Sequence, residues 1–206
     1  MDVNINYQFQ LDKIISSLDA VKPRLLLHAC CAPCSSYCLE YLKDYFDITL
    51  YFYNPNISSK EEWEKRLDEL KRLVKEMSLD IQVVCPPYNP QEFLDKVKGY
   101  ENCVEGGDRC SICYALRLKS ACDFAEDNGF EYYCSTLSIS PHKNAQKLNY
   151  IGDSLAKDKR VKHLPNDFKK KGGYLRSIEL SKKYNLYRQD FCGCRFSLAQ
   201  SEARQI

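Results

Sequence analysis

From residue 24 onward, short apolar runs alternate with longer segments in which apolar residues recur at helical spacing. Arg24–Ala29 (RLLLHA) is a nearly unbroken apolar run, the pattern of a strand covered on both faces of a parallel sheet. Asp47–Tyr53 (DITLYFY) predicts a second strand, stopped by Asn54–Pro55–Asn56. Ser58 and Ser59 offer N-caps to a charged helix, Lys60 to Met77, with Trp63, Leu67, Leu70 and Val74 along one face. Ile81–Cys85 predicts a third, short strand closed by Pro86–Pro87. Helices are expected from about Pro90 to Lys98 and from about Cys110 to Asn128, the second ending at Gly129 as a C-cap. Glu131–Ser138 reads as the fourth strand, broken by Pro141. A helix starts near Asn144, Gly172–Gly173 reads as a loop, and Leu175–Tyr184 is the last helix the pattern gives.

Strands separated by helices of this length predict an α/β fold, a parallel sheet with flanking helices and right-handed crossovers. The 206 residues suit one domain, and there is no repeat, low-complexity segment or interdomain linker. Ligands in such sheets sit beyond the carboxyl ends of the strands. HACCAPC follows the first strand, NPN the second and SISPHKN the fourth, so three polar motifs are expected at one rim.

Composition changes the picture through cysteine. No apolar stretch approaches ~18 residues, and the N-terminus lacks the basic-then-apolar order of a secretory signal, so the expectation is a cytoplasmic protein without a membrane. Reducing cytosol keeps thiols free, which makes metal binding or redox work the better reading of the 12 cysteines than a disulfide framework. The net charge is only +2, but it is uneven: residues 1–139 hold 15 Lys/Arg against 22 Asp/Glu, and residues 140–206 hold 15 against 6. A basic C-terminal third suits a phosphate backbone, though a solvated lysine-rich face would look the same.

The cysteines fall into three groups. Cys30 and Cys31 point to opposite faces in a regular strand, so they share a ligand only where the chain turns, and Pro33 helps end the strand there. Cys34 would then stand near a helix start, where the dipole favours thiolate. Cys110 and Cys113 lie on one face of an opening helical turn, among Asp108, Arg109, Tyr114 and Arg117; Cys103–Cys110–Cys113 is a competing set. Cys192 and Cys194 flank Gly193, a spacing that suits two ligands to one metal in extended chain. A tetrahedral zinc or a cubane cluster takes four thiolates, so six leave a surplus pair for a second metal or a dithiol. Arginines 109, 117, 176, 188 and 195 stand near these segments and would offset the negative charge of a thiolate cluster. Cys38, Cys85, Cys122 and Cys134 fit strands and helix faces and read as packing.

HACCAPC, YNPNI, EGGDRCSICYALRL, STLSISPHKN and GYLRSIELSKKYNLYRQDFCGC, in this order, resemble the QueH family of epoxyqueuosine reductases. The resemblance covers about residues 24–197 and leaves 1–23 as an N-terminal extension. It implies a Rossmann-like fold of the adenine-nucleotide hydrolase-like group, with cysteines where a nucleotide loop would stand. It implies reduction of the epoxide of epoxyqueuosine, a modified wobble base of tRNA, to queuosine, with an external electron donor. It implies a [4Fe–4S] cluster on Cys30, Cys31, Cys110 and Cys113. A second iron would sit on Cys192 and Cys194 with a carboxylate, Asp108 or alternatively Asp190, and zinc would replace iron in aerobic preparations. Cys34 matches the motif without an assigned role. Asp108 and His142 are the candidate proton donors, with His28 a further one. Asn54, Asn56, His142, Lys143, Tyr187, Arg188 and Gln189 are candidate substrate contacts. The chief rival is a zinc-stabilised RNA-binding protein without catalysis. An ATP-using enzyme would need a glycine-rich phosphate loop after the first strand, where HACCAPC stands instead.

Overall fold

The run after Pro23 forms the middle strand of a five-stranded sheet. The computed structural model describes residues 5–203. In chain order the strands are β1 (Arg24–His28), β2 (Asp47–Tyr51), β3 (Gln82–Val84), β4 (Tyr132–Ser135) and β5 (Lys162–His163). They lie in the order β3–β2–β1–β4–β5, and every pair is parallel. The helices are α1 (Tyr7–Ser16), α2 (Ala32–Leu42), α3 (Lys60–Glu76), α4 (Pro90–Lys96), α5 (Asp108–Asp127), α6 (Ala145–Ala156), α7 (Gly173–Lys183) and α8 (Arg195–Ala203).

The alternation of side chains along β1 divides the core in two. Leu25 and Leu27 pack with Leu39 of α2 and Leu70 of α3, while Leu26 on the opposite face packs with Leu118 of α5 and Leu148 of α6. All three leucines are fully buried, which is why the run has no polar alternation. From β1 the chain first builds outward through β2 and β3, then crosses back to lay down β4 and β5 on the other side. That reversal opens a crevice at the carboxyl ends of β1 and β4, the switch point at which open α/β sheets bind ligands.

Several boundaries differ from the pattern. The fourth strand stops at Ser135 instead of Ser138, because the Ser135 hydroxyl accepts the Leu137 N–H at 3.2 Å and turns Thr136–Ile139 into a 3₁₀ helix. The 172–173 pair is not a loop: Gly172 caps α7 in a left-handed conformation (φ +76°), and Gly173 is its first residue. Asp108 belongs to the first turn of α5. Helices α1 and α8 and the two-residue β5 were not anticipated. The N-terminal extension, apart from residues 1–4 that lie outside the described part, docks α1 on the domain. Tyr41 of α2 donates to Asp12 at 2.5 Å and accepts from Gln8 at 3.2 Å, and Gln146 of α6 donates to the Ile5 carbonyl at 2.7 Å.

A candidate metal site at the switch point

The adjacent cysteines sit where β1 becomes α2. Cys30 leaves the strand with its N–H on Thr136 Oγ1 (3.3 Å), and Cys31, extended at φ −171°, is the N-cap of α2. The turn swings both side chains to one side, and their Sγ atoms are 3.8 Å apart. Cys34, in the first turn of α2, joins them, so that all three sulfurs lie within 4.8 Å of one another. Hydrogen bonds from the Cys31 and Cys34 thiols, with Arg117 behind, hold Cys30 well below the usual thiol range. Donating to that thiolate pushes Cys31 up to about 11.

Across the crevice, α5 begins after Gly107 and presents Cys110 and Cys113 from its first turns. The Gly106 N–H points at Cys110 Sγ (3.2 Å), and burial pushes both thiols up, Cys113 to about 11. The third pair comes from the loop before α8. Cys192 and Cys194 have their Sγ atoms 3.5 Å apart, and the Ser197 N–H reaches Cys194 Sγ at 3.3 Å. The neighbouring Cys194 sulfur draws Cys192 down to about 5, with the Lys143 ammonium adding to the effect, and the Cys192 sulfur raises Cys194.

These groups line two adjoining cavities. The larger, a cleft of ≈ 480 Å³, is lined by Cys30, Cys31, Cys34 and Cys192, and by residues of α7 and the 188–192 segment. The smaller, an inner chamber of ≈ 20 Å³, is lined by Cys110, Cys113, Cys192 and Cys194. Glu105, Arg117, His142, Lys143 and Cys192 form the shared border. Desolvation would lower the Lys143 ammonium, but the thiolates of Cys192 and Cys30 outweigh it and hold the group above its usual value. Seven cysteines from three chain segments thus line the two cavities, with Arg117 and Lys143 at their border.

The other expected residues divide. His142 is exposed at the rim and lines both cavities, and Arg188, Gln189 and Asp190 line the cleft. Asp108 is exposed at the start of α5 and lines neither. Asn54 is buried, with Nδ2 on the Ala29 carbonyl (3.0 Å) and Oδ1 accepting from Arg117, so it braces the strand end and the border arginine. Asn56 donates to the Cys192 carbonyl at 3.2 Å and lines the inner chamber. Tyr187 packs away from the cleft, its hydroxyl on Glu62 (3.0 Å) and Lys65 over its ring. His28 is wholly buried between Ser135 Oγ (2.7 Å) and the Tyr53 carbonyl (3.0 Å), and burial, with Arg117 nearby, pulls it down to about 3. It is a neutral structural group. Arg109 is spent on the carbonyls of Tyr100, Glu101 and Cys103, and Arg176 on Glu40.

Arg66 is the residue the sequence reading missed. Only 2% exposed, it projects from α3 into the cleft wall, pairs with Glu62 at 2.6 Å and donates to the Cys192 carbonyl at 3.3 Å. Its Nη2 is buried without a partner among the described residues. The signal was present: position 66 falls on the apolar face defined by Trp63, Leu67 and Leu70, where a cation is out of place unless it is used. Arg66→Ala is expected to loosen the 192–194 loop and lower unfolding stability by roughly 2–3 kcal/mol, measured by urea denaturation, because Glu62 loses a buried partner.

The family model described as "Epoxyqueuosine reductase QueH" matches residues 25–200. Proteins named epoxyqueuosine reductase QueH from Streptococcus pyogenes and Staphylococcus aureus are 40% and 41% identical, each over 95% of this chain and 81% and 85% of their own length. The namesake from Thermotoga maritima is 33% identical over 85% of this chain and 91% of its own. Among solved structures, the U34-tRNA thiolase NcsA from Methanococcus maripaludis with its [4Fe-4S] cluster superposes with a TM-score of 0.53, at 15% identity, over 96% of this chain and 70% of that one. That likeness is one of fold.

Proposed function

The chain belongs to the QueH family of epoxyqueuosine reductases, and from that premise we propose that its cleft takes the epoxyqueuosine nucleoside of tRNA and reduces the epoxide to the alkene of queuosine. The observation that carries the reading is the convergence of Cys30, Cys31, Cys34, Cys110, Cys113, Cys192 and Cys194 on two adjoining cavities, one of them of nucleoside size. The step consumes two electrons and two protons: the epoxide's two C–O bonds break, a C=C bond forms, and the oxygen leaves as water.

The donor set fits iron. Soft thiolates select iron–sulfur centres, and the border cations Arg117 and Lys143 offset the charge of four or more thiolates. Cys30, Cys31, Cys110 and Cys113 are assigned to the [4Fe–4S] cluster, one pair from each side of the crevice. Cys192 and Cys194 are assigned to a second iron, with Asp190 as the carboxylate, since Asp190 lines the cleft and Asp108 does not. When bound, the cluster supplies electrons singly and an iron with an open position supplies Lewis acidity.

The chain's own residues do the rest. Lys143 places a three-donor cation where the epoxide oxygen gains negative charge. His142, exposed at the rim, delivers protons from solvent to the departing oxygen. Arg66 Nη2 and Gln189 Oε1, both buried and unpartnered among the described residues, are the donor and acceptor that hold the nucleoside.

Anaerobically purified protein should be brown, absorb broadly near ~400 nm and contain iron and acid-labile sulfide. Given a chemical reductant, it should convert epoxyqueuosine-containing tRNA to a nucleoside lighter by one oxygen in mass analysis. Colourless protein with zinc alone and no conversion would restore the non-catalytic RNA-binding reading.

A further inference from the structure

Beside the cleft lies a second, larger depression of ≈ 670 Å³, with Lys143 in both walls. One side is α1, which lies outside the family-matched residues 25–200; the other is the start of α6 and the loop carrying Lys169, Lys170 and Lys171. Four lysines face two acids there, and both acids are engaged: Asp12 pairs with Lys171, and Asp167 with Lys169 at 2.7 Å. Lys170 is exposed and makes no ion pair among the described residues. The α1 wall adds an aromatic ring. Phe9 is 54% exposed, unusual for a phenylalanine, and Lys13 lies over its ring at 4.6 Å.

We propose that this depression is a binding site for single-stranded RNA flanking the modified nucleotide, with Phe9 a stacking platform for a neighbouring base and Lys170 and Lys171 contacts to its phosphates. Basic grooves with an exposed ring are how proteins track single strands without reading sequence. Continuity through Lys143 gives the direction: a nucleoside in the cleft is one link of a strand, and its neighbours must leave over the rim. An acidic protein that delivers electrons would be drawn to the same lysines but gives no use to Phe9. The inference rests on the nucleoside reading of the cleft. It further implies that polynucleotide is preferred over the free nucleoside, and that the N-terminal extension contributes to this preference.

The test uses the anaerobic full chain and a fluorescent anticodon stem-loop RNA lacking the modification, titrated across salt concentrations. Phe9→Ala should weaken binding about ten-fold with the salt slope unchanged, since stacking releases no counterions. Lys170→Glu should weaken it and flatten the slope of log K against log salt by about 0.7, the value for one single-strand phosphate contact. Both side chains are exposed, so iron content and thermal midpoint should match the parent protein. RNA affinities within two-fold of parent for both variants would overturn the proposal. So would unchanged RNA binding with a raised KM for a reduced flavodoxin or ferredoxin, which would give the groove to an electron carrier. Neither result touches the proposed reaction, which stands or falls on turnover by the parent protein with a chemical reductant.

Discussion

Cys110→Ala is expected to abolish iron–sulfur absorption and turnover together, with activity down by at least about 10³-fold, the loss of the whole catalytic contribution of the centre. Cys110 stands in the first turn of α5, where burial raises its thiol and the Gly106 N–H, aimed at its sulfur at 3.2 Å, offsets part of that rise. Alanine keeps the helix and removes only the ligand. Cys122→Ala is the matched control. That cysteine lies on the same helix but is fully buried among Leu118, Ala125 and Tyr133, far from either cavity. It should keep full iron and turnover and lose about 1 kcal/mol of stability as a small apolar truncation. Iron, sulfide and turnover measured on both variants decide the matter. Normal iron in Cys110→Ala would remove that residue from the cluster.

Gly193→Ala should be nearly as damaging without touching a sulfur. Gly193 sits at φ +106°, where an L side chain is strained, and a Cβ there would stand 2.9 Å from Ile57 Cγ1 and 3.2 Å from Arg66 Nη1. Its carbonyl is fixed by the Ser58 N–H at 3.0 Å, so the loop has little room to shift. The expected cost is roughly 1–3 kcal/mol of backbone strain and a fall in kcat of about 100-fold or more, as Cys192 and Cys194 lose their 3.5 Å approach. Iron stoichiometry should drop at the proposed second centre while the absorption of the proposed cluster persists. A variant with parent-level iron and kcat would show that the bend at 193 does not set the pair.

Both predictions depend on how nearby chain segments position sulfur, and here the sequence and the fold contributed differently. Leu25–Leu27, the Ser59 cap and the apolar stripe of α3 were readable because burial on two faces, or on one stripe, leaves a periodic trace. The parallel sheet and its active rim followed from the order of those elements. Helix α1 and strand β5 were not readable. Two residues of strand have no period, and α1 and Ile5 ahead of it are held by Tyr41, Gln146 and Lys171, partners from other segments.

The membership of the thiol site was written in the local motifs, since Cys-Cys at a strand end, Cys-x-x-Cys in a helical turn and Cys-Gly-Cys each fix a pair by backbone geometry alone. What the fold alone decided is how the pairs meet. It set Cys34 with Cys30 and Cys31, placed Asn54 and Tyr187 against neighbouring residues outside the lining of both cavities, and left Asp108 outside both cavities while Asp190 faces the cleft. It also brought Arg66 from α3 to the Cys192 carbonyl. Pairs within one turn are set by covalent reach; contacts between distant segments exist only once the sheet has closed and the helices have packed against it.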